Sequence, residues 1–289
     1  GVQTCALPIY TDEATSDPND HDEYAGQTSV FTGSGNSGND SLFGSSGDDL
    51  GAVLAGGSGN DTIYGAGGND NINGGSNNDV LFGGSGDDTV QASTGDDTVY
   101  GGSGSDQVDG FSGNDVIFGA VGSDHLIGGS GNDTIAGDDG ADQLEGGDHN
   151  DSLSGGGGND TPIGGIGDDT LTGGPGADRF VFQDPVFDPN DTITDFTHGT
   201  DVLLFNVDVD TYDAATWVGG VLDASDFASI NTGAAPDAGD GHHFIFDTGT
   251  GALWYDADGQ GGQSGTLVAT LGTTNHPSLQ ITDIHPWTA

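Results

Sequence analysis

The chain is predicted to be all-β: a stack of very short strands followed by a β-rich C-terminal domain. Three observations predict it. A nine-residue unit recurs without a gap from Gly56 to Val181. Each unit carries a triplet such as Thr62-Ile63-Tyr64, whose middle member is almost always aliphatic. After Phe182 the period stops, and apolar, aromatic-rich clusters separated by turn residues take over.

The fourteen contiguous units are preceded by two more, at Gly35 and Gly44, offset by the insertion Val53-Leu54-Ala55. In all sixteen the sixth residue is Asp. Position 1 is Gly except at Ala92, position 4 is Gly except at Asn77 and His149, and position 8 is Val, Ile, Leu or Phe except at Gly51 and Pro162. A triplet is one short strand whose middle residue points inward and whose neighbours point outward. The six residues before it form a turn for which glycine supplies positive φ and close backbone approach. One unit buries a single aliphatic side chain and cannot stand alone, so units must stack to share a core. Pro162 should introduce a local defect, and Gly51 with the insertion 53–55 should interrupt the stack near its start.

Charge points to a partner. The formal net charge is −46, with one Arg and no Lys. Of the 47 acidic residues only Glu13, Glu23 and Glu145 are Glu, so the need is for a short carboxylate on a turn. Nucleic acid is excluded for want of a cationic footprint, and anionic membranes and polyanionic sugars are disfavoured. No apolar run is long enough to span a bilayer, so no stable membrane insertion is expected. Hard divalent cations, which take oxygen ligands, are the natural neutraliser.

The unit resembles the RTX nonapeptide G-G-x-G-x-D-x-U-x. That resemblance implies a calcium-bound parallel β-roll, two units to a turn, with units i and i+2 on one edge about 4.8 Å apart. One edge then carries Asp61, Asp79, Asp97, Asp115, Asp133, Asp151 and Asp169, and the other Asp70, Asp88, Asp106, Asp124, Asp142, Asp160 and Asp178. With Asp40 and Asp49 of the two leading units, these are the expected metal ligands. They are read as bridging carboxylates that share Ca²⁺ with loop carbonyls, about 8–12 ions in all. Position 5 is often Asn or Asp (Asn60, Asp87, Asp96, Asn132, Asp168) and reads as a turn former or an outer ligand. His149 reads as a solvated imidazole at a distorted turn.

In the C-terminal region FVF (180–182), TITDF (192–196), DVLLF (201–205), HFIFD (243–247), ALWYD (252–256) and TLVATL (266–271) read as short strands. GGPGADRFVF leading to DTITDFTHGTDVLLF, and TGTGALWYDADGQGG followed by LVATL, resemble the corresponding regions of serralysin-type secreted proteins. The resemblance implies a domain at 182–289 that caps the roll at 35–181 and carries an export signal for a type I system; the ending DIHPWTA departs from that family's tail. Capping also has a physical reason, since the last unit otherwise exposes apolar surface and unpaired strand groups. Asp256-Ala-Asp258-Gly259 reads as a hairpin turn, and Asp195 with Asp201 as a weaker candidate calcium site.

GVQTCALPI (Gly1 to Ile9) matches a translation of DNA resembling a common sequencing adapter, so residues 1–9, including the sole cysteine Cys5, are read as an artefact, with the natural N-terminus missing. Residues 10–34 read as an acidic linker. No H-E-x-x-H, G-x-S-x-G or P-loop occurs, and the adjacent pair His242-His243 faces opposite sides of a strand, so no catalytic residue is assigned. The expected function is that of a monomeric, calcium-binding module of a secreted bacterial protein, folding on extracellular Ca²⁺ and supporting type I secretion. The alternatives are the C-terminal fragment of a secreted enzyme (a serralysin-like metalloprotease, a lipase or an alginate epimerase) and an adhesin or surface-layer component.

Overall fold

The computed structural model describes residues 34–44, 46–47, 53–183, 190–206, 217–218, 221–222, 227–230, 244–255, 266–272 and 279–287. Within these, two long sheets face each other, and successive repeat units supply strands to them alternately. Thr62–Gly67 pairs in parallel with Val80–Ser85, which pairs with Thr98–Ser103, while Asn71–Ser76 pairs with Thr89–Thr94 in the opposite sheet. Ile63 therefore lies opposite Leu81, Leu81 opposite Val99, and Ile72 opposite Val90. This is the parallel β-roll that the repeat predicts.

The strands are longer than the expected triplet. Thr62–Gly67 has six residues because pairing continues into the next unit's glycines, as in Ala66↔Gly84 and Gly67↔Ser85. The turn shrinks correspondingly, to positions 4 to 6. Alternation then buries positions 6, 8 and 1 and leaves 7 and 9 on the outer faces. Ile63, Leu81, Val99 and Ile117 from one sheet meet Ile72, Val90, Val108 and Leu126 from the other, all fully buried in one continuous core.

Neither expected irregularity breaks a described strand. Leu54, from the insertion, is fully buried and pairs with Ile72, so it takes the inward place that Gly51 would have left open. Ser41 pairs with Thr62, so this turn is 21 residues long where the later ones are 18. Gly51 itself lies outside the described residues. Pro162 sits in register with Leu144 inside the unbroken strand Thr161–Ile166. Its ring is apolar and close in bulk to the aliphatic it replaces, so the column stays filled. The expected local defect appears in this strand's pairing with the next turn, where Ile163↔Val181 is the single register pair joining it to Arg179–Phe182.

Position 9 of alternate units builds a feature on one outer face. Phe43, Tyr64, Phe82, Tyr100 and Phe118 stack in a ladder, with ring centroids 4.9, 4.7, 4.9 and 5.1 Å apart and interplanar angles of 7°, 2°, 5° and 9°. The ring spacing is that of the strands themselves.

Pairing runs across residue 182. Arg179–Phe182 pairs with Val202–Asn206, which pairs with Ile284–Trp287, and Asp191–Ile193 pairs with Thr266–Leu271. Ala252–Tyr255 and Phe244–Asp247 follow antiparallel, joined by a short turn. All six clusters picked out in the C-terminal sequence form strands. Here the core changes character: Phe180, Phe182, Phe205, Phe244 and Phe246 continue the narrow aliphatic column and are fully buried. Among the described residues the only helix is the 3-10 turn Ile281–Asp283, and none is long and apolar enough to cross a membrane. The expected turn at Asp256–Gly259 and the pair His242-His243 lie outside the described residues.

Candidate calcium sites

The sixth residue of each described unit immediately precedes a strand and points inward. Asp61, Asp79, Asp97 and Asp115 are each about 1% exposed, in a chain with almost no cation to pair with them. Their order comes from hydrogen bonds. The backbone N–H of Asp61 donates to Oδ1 of Asp79 at 2.8 Å, that of Asp79 to Asp97 at 2.7 Å, and that of Asp97 to Asp115 at 2.8 Å. The same chain of bonds continues through Asp133 and Asp151 to Asp169. On the other edge it runs from Asp70 through Asp88, Asp106, Asp124, Asp142 and Asp160 to Asp178. Asp40 joins the first file by donating to Asp61. Asp49 lies outside the described residues.

From Asp61 on one edge and Asp88 on the other, each of these carboxylates thus has one oxygen occupied. The other, Oδ2, is buried without a hydrogen-bond partner in Asp61, Asp79, Asp88, Asp97, Asp106, Asp115, Asp124, Asp133, Asp142, Asp151, Asp160, Asp169 and Asp178. Native proteins seldom leave a buried polar atom unsatisfied, let alone a column of them. The space beside each orphan is kept open by position 1. A Cβ placed on Gly56 would lie 2.3 Å from Asp61 Oδ2 and 2.4 Å from the carbonyl oxygen of Gly74, one turn on. At Gly146 the same two distances, to Asp151 Oδ2 and the Gly164 carbonyl, are both 2.4 Å. A carboxylate oxygen and a carbonyl oxygen from successive turns therefore face one small space. Positions 2 and 4 serve a different end. Gly75 and Gly104 have φ of 114° and 130° and abut the carbonyls of Gly57 and Gly86 in the preceding turn, where a Cβ would lie 2.1 Å away in each case.

Without a counter-charge these carboxyls resist ionisation. Burial raises Asp79 and Asp115 to about 7 and Asp151 to about 8; the N–H from the preceding turn opposes the rise, and neighbouring carboxylates add to it. Burial likewise lifts Asp61, Asp88, Asp106 and Asp124 to about 6. A cation in the shared space removes the penalty that burial imposes on the charged form.

The donor set tests which cation fits. Among the described residues no three Asp, Glu, His or Cys side chains gather around a common point. An ion here would be held by Asp Oδ2 together with main-chain carbonyls, an all-oxygen, anionic set that suits Ca²⁺ and offers nothing to a metal that prefers nitrogen or sulfur.

A family model describing the RTX calcium-binding nonapeptide repeat matches residues 32–50 and, in overlapping segments, 53–182, just over half of the chain. The chain belongs to the RTX repeat family. No curated protein matches it. RTX nonapeptides are calcium-binding motifs, and the orphaned Oδ2 columns of this RTX chain fit that chemistry.

Other candidate residues settle differently. Position 5 in these RTX units is a second stitch, running opposite to the first. Asn114 Oδ1 accepts the N–H of Asn132 at 2.9 Å, Asp96 Oδ1 accepts that of Asn114 at 2.8 Å, and Asp87 Oδ1 accepts that of Ser105 at 2.8 Å. These side chains therefore engage the following turn, whereas position 6 engages the preceding one. His149 is exposed, with Nδ1 2.9 Å from the Asp148 carbonyl oxygen, and keeps the glycine-like φ of 84°. Asn77 does the same at 79°.

Two aspartates beyond the period extend the files. Asp169 donates its N–H to Asp191 at 2.9 Å, and Asp178 donates to Asp201 at 3.0 Å. Asp201 differs in that its Oδ2 accepts the Thr197 N–H at 2.7 Å. Asp195 is likewise engaged at both oxygens, by Gly173 and Gly174 N–H at 2.9 and 2.8 Å. Their carboxylates close the end of the roll with hydrogen bonds, in contrast to the open oxygens of the RTX units.

Proposed function

We propose that this chain is the calcium-binding module of a secreted RTX protein, folding on extracellular Ca²⁺ and supporting type I secretion. The observation that carries the reading is the set of buried, unpartnered Oδ2 atoms in a chain of net charge −46. A cation that binds only the stacked form adds stability by mass action. Where Ca²⁺ is scarce the carboxylate files oppose stacking and the chain stays extended and exportable. At millimolar Ca²⁺ outside the cell it folds, which calls for weak sites of the extracellular class. The ligands on this reading are the sixteen position-6 aspartates from Asp40 to Asp178, holding about 8–12 ions. Residues 182–289 act as a serralysin-like cap and export domain. Support for the cap comes from Thr266–Leu271 and Ile284–Trp287, which extend the two sheets past their last RTX strands. The reading assigns no catalytic residue to this chain.

Circular dichroism during a Ca²⁺ titration of the EGTA-treated chain tests it. The expected result is a β-rich spectrum that develops between micromolar and millimolar Ca²⁺. A midpoint in the nanomolar range contradicts the export role, because the chain would then fold before leaving the cell.

A further inference from the structure

Position 1 of the repeat is glycine for want of room and not for backbone reasons. No described position-1 glycine has a left-handed φ, so an L side chain is conformationally admissible there. What glycine leaves is the space into which Asp Oδ2 and the next turn's carbonyl both face. At Gly128 a Cβ would lie 2.3 Å from Asp133 Oδ2 and 2.7 Å from the Gly146 carbonyl, closer than a methyl group can sit to either oxygen.

At Ala92 the methyl is real, and the residue is fully buried. By the repeat, the two oxygens facing it belong to Asp97 and Gly110. Asp97 holds its place, since its Oδ1 still accepts the Asp79 N–H at 2.7 Å. The Gly110 carbonyl accepts the Ser112 N–H of its own loop at 3.1 Å, an N–H shared with the Ser93 carbonyl of the preceding turn at 3.1 Å. At the same level the strand is cut short. Gln107–Asp109 has three residues, and its continuous pairing with Thr89–Thr94 stops at Gln91↔Asp109 and resumes only as the single bridge Thr94↔Ser112, whereas in the opposite sheet Val80–Ser85 and Thr98–Ser103 pair at both Gly84↔Gly102 and Ser85↔Ser103. The φ of Phe111, 66° at position 2 of this loop, does not by itself explain the break, although its N–H donates to Asp109 Oδ1 at 3.0 Å. Asp138 occupies the equivalent position with φ 69° inside the unbroken strand Thr134–Gly140.

We infer that the calcium position served by Asp97 Oδ2 and the Gly110 carbonyl is closed by the Ala92 methyl. One file of ions is thereby interrupted between Asp79 and Asp115, while the opposite file is continuous past the same level. The inference rests on the calcium reading above.

The test is the number of Ca²⁺ bound per chain, by equilibrium dialysis at saturating Ca²⁺, for the full chain and for Ala92→Gly and Gly128→Ala. Ala92→Gly is expected to bind one ion more than the parent and to melt higher in Ca²⁺. Gly128→Ala, which installs the same methyl in an open position, is expected to bind one fewer. An Ala92→Gly chain that binds the parent's number of ions overturns the inference, whatever Gly128→Ala does. A parent chain that binds no Ca²⁺ removes the underlying reading instead, so the two failures are distinguishable.

Discussion

Asp97 and Asp115 share a hydrogen bond that leaves one oxygen over: the Asp97 N–H donates to Asp115 Oδ1 at 2.8 Å, and Asp115 Oδ2 is buried with no partner. The carboxylate therefore has two separable duties, joining turns and offering charge to an ion. Substitutions can divide them. Asp115→Asn keeps the acceptor and loses the charge, so it should lower the Ca²⁺ count on its own edge while leaving the turns joined. Asp115→Ala loses both and leaves a buried N–H unsatisfied, which costs about 1–3 kcal/mol more. Calcium stoichiometry together with denaturant unfolding in Ca²⁺ checks this, and equal stability of the two variants would show that the Oδ1 bond contributes nothing.

Proton and calcium should compete for the same oxygens. The folded-state values, about 6 for Asp88, 7 for Asp79 and 8 for Asp151, lie above the ordinary 3.8. The metal-free roll therefore binds more protons than the unfolded chain. Their contribution is complete below about 3.8 and is lost as pH rises through 6 to 8. In EGTA, β-structure should be greater at pH 5 than at pH 8, and the Ca²⁺ midpoint should rise as pH falls over that range. Dichroism across the pH series measures both; a midpoint that does not move with pH would separate the ion from these carboxylates.

Leu54 should matter more than its sequence context suggests. It is fully buried in the core, while Val53 beside it is 43% exposed. Leu54→Ala should cost about 2–5 kcal/mol and Val53→Ala within about 0.5 kcal/mol. Unfolding in Ca²⁺ reads the difference, and similar effects at both positions would contradict the register.

Tyr100 sits within the aromatic ladder, stacked on Phe82 at 4.9 Å and on Phe118 at 5.1 Å. Tyr100→Ala should cost about 0.5–1.5 kcal/mol from the lost ring pairs beyond its buried area, without changing the number of Ca²⁺ bound. A lower Ca²⁺ count would mean that the outer face and the loops are coupled.

The repeat made the two Asp files legible in the sequence, because a strict period fixes which residues recur behind each strand. What it hid were departures from that period. Asp191 and Asp201 continue the files at separations of 22 and 23 residues, not 18, so a nine-residue frame passes over them. Leu54 was concealed because the three inserted residues look like an appendage when the frame is read from Gly44; pairing shows that Leu54 itself stands opposite Ile72. The position-5 ladder depends on which neighbouring turn a side chain reaches, and composition carries no such direction. The aromatic ladder runs through every second unit from Phe43 to Phe118 but emerges only when unit i is compared with unit i+2. Ala92 was visible as an exception, yet its meaning needed the location of the oxygens around it.

The central claim is that Ca²⁺ neutralises the buried Oδ2 columns, and anomalous scattering from a crystal grown in Ca²⁺ tests it most directly. Two files of peaks are expected, one along each edge of the roll, each peak within about 2.3–2.6 Å of a position-6 carboxylate oxygen. Peaks confined to a single edge, or lying at exposed aspartates such as Asp96 and Asp168 with the Oδ2 columns bare, would contradict it.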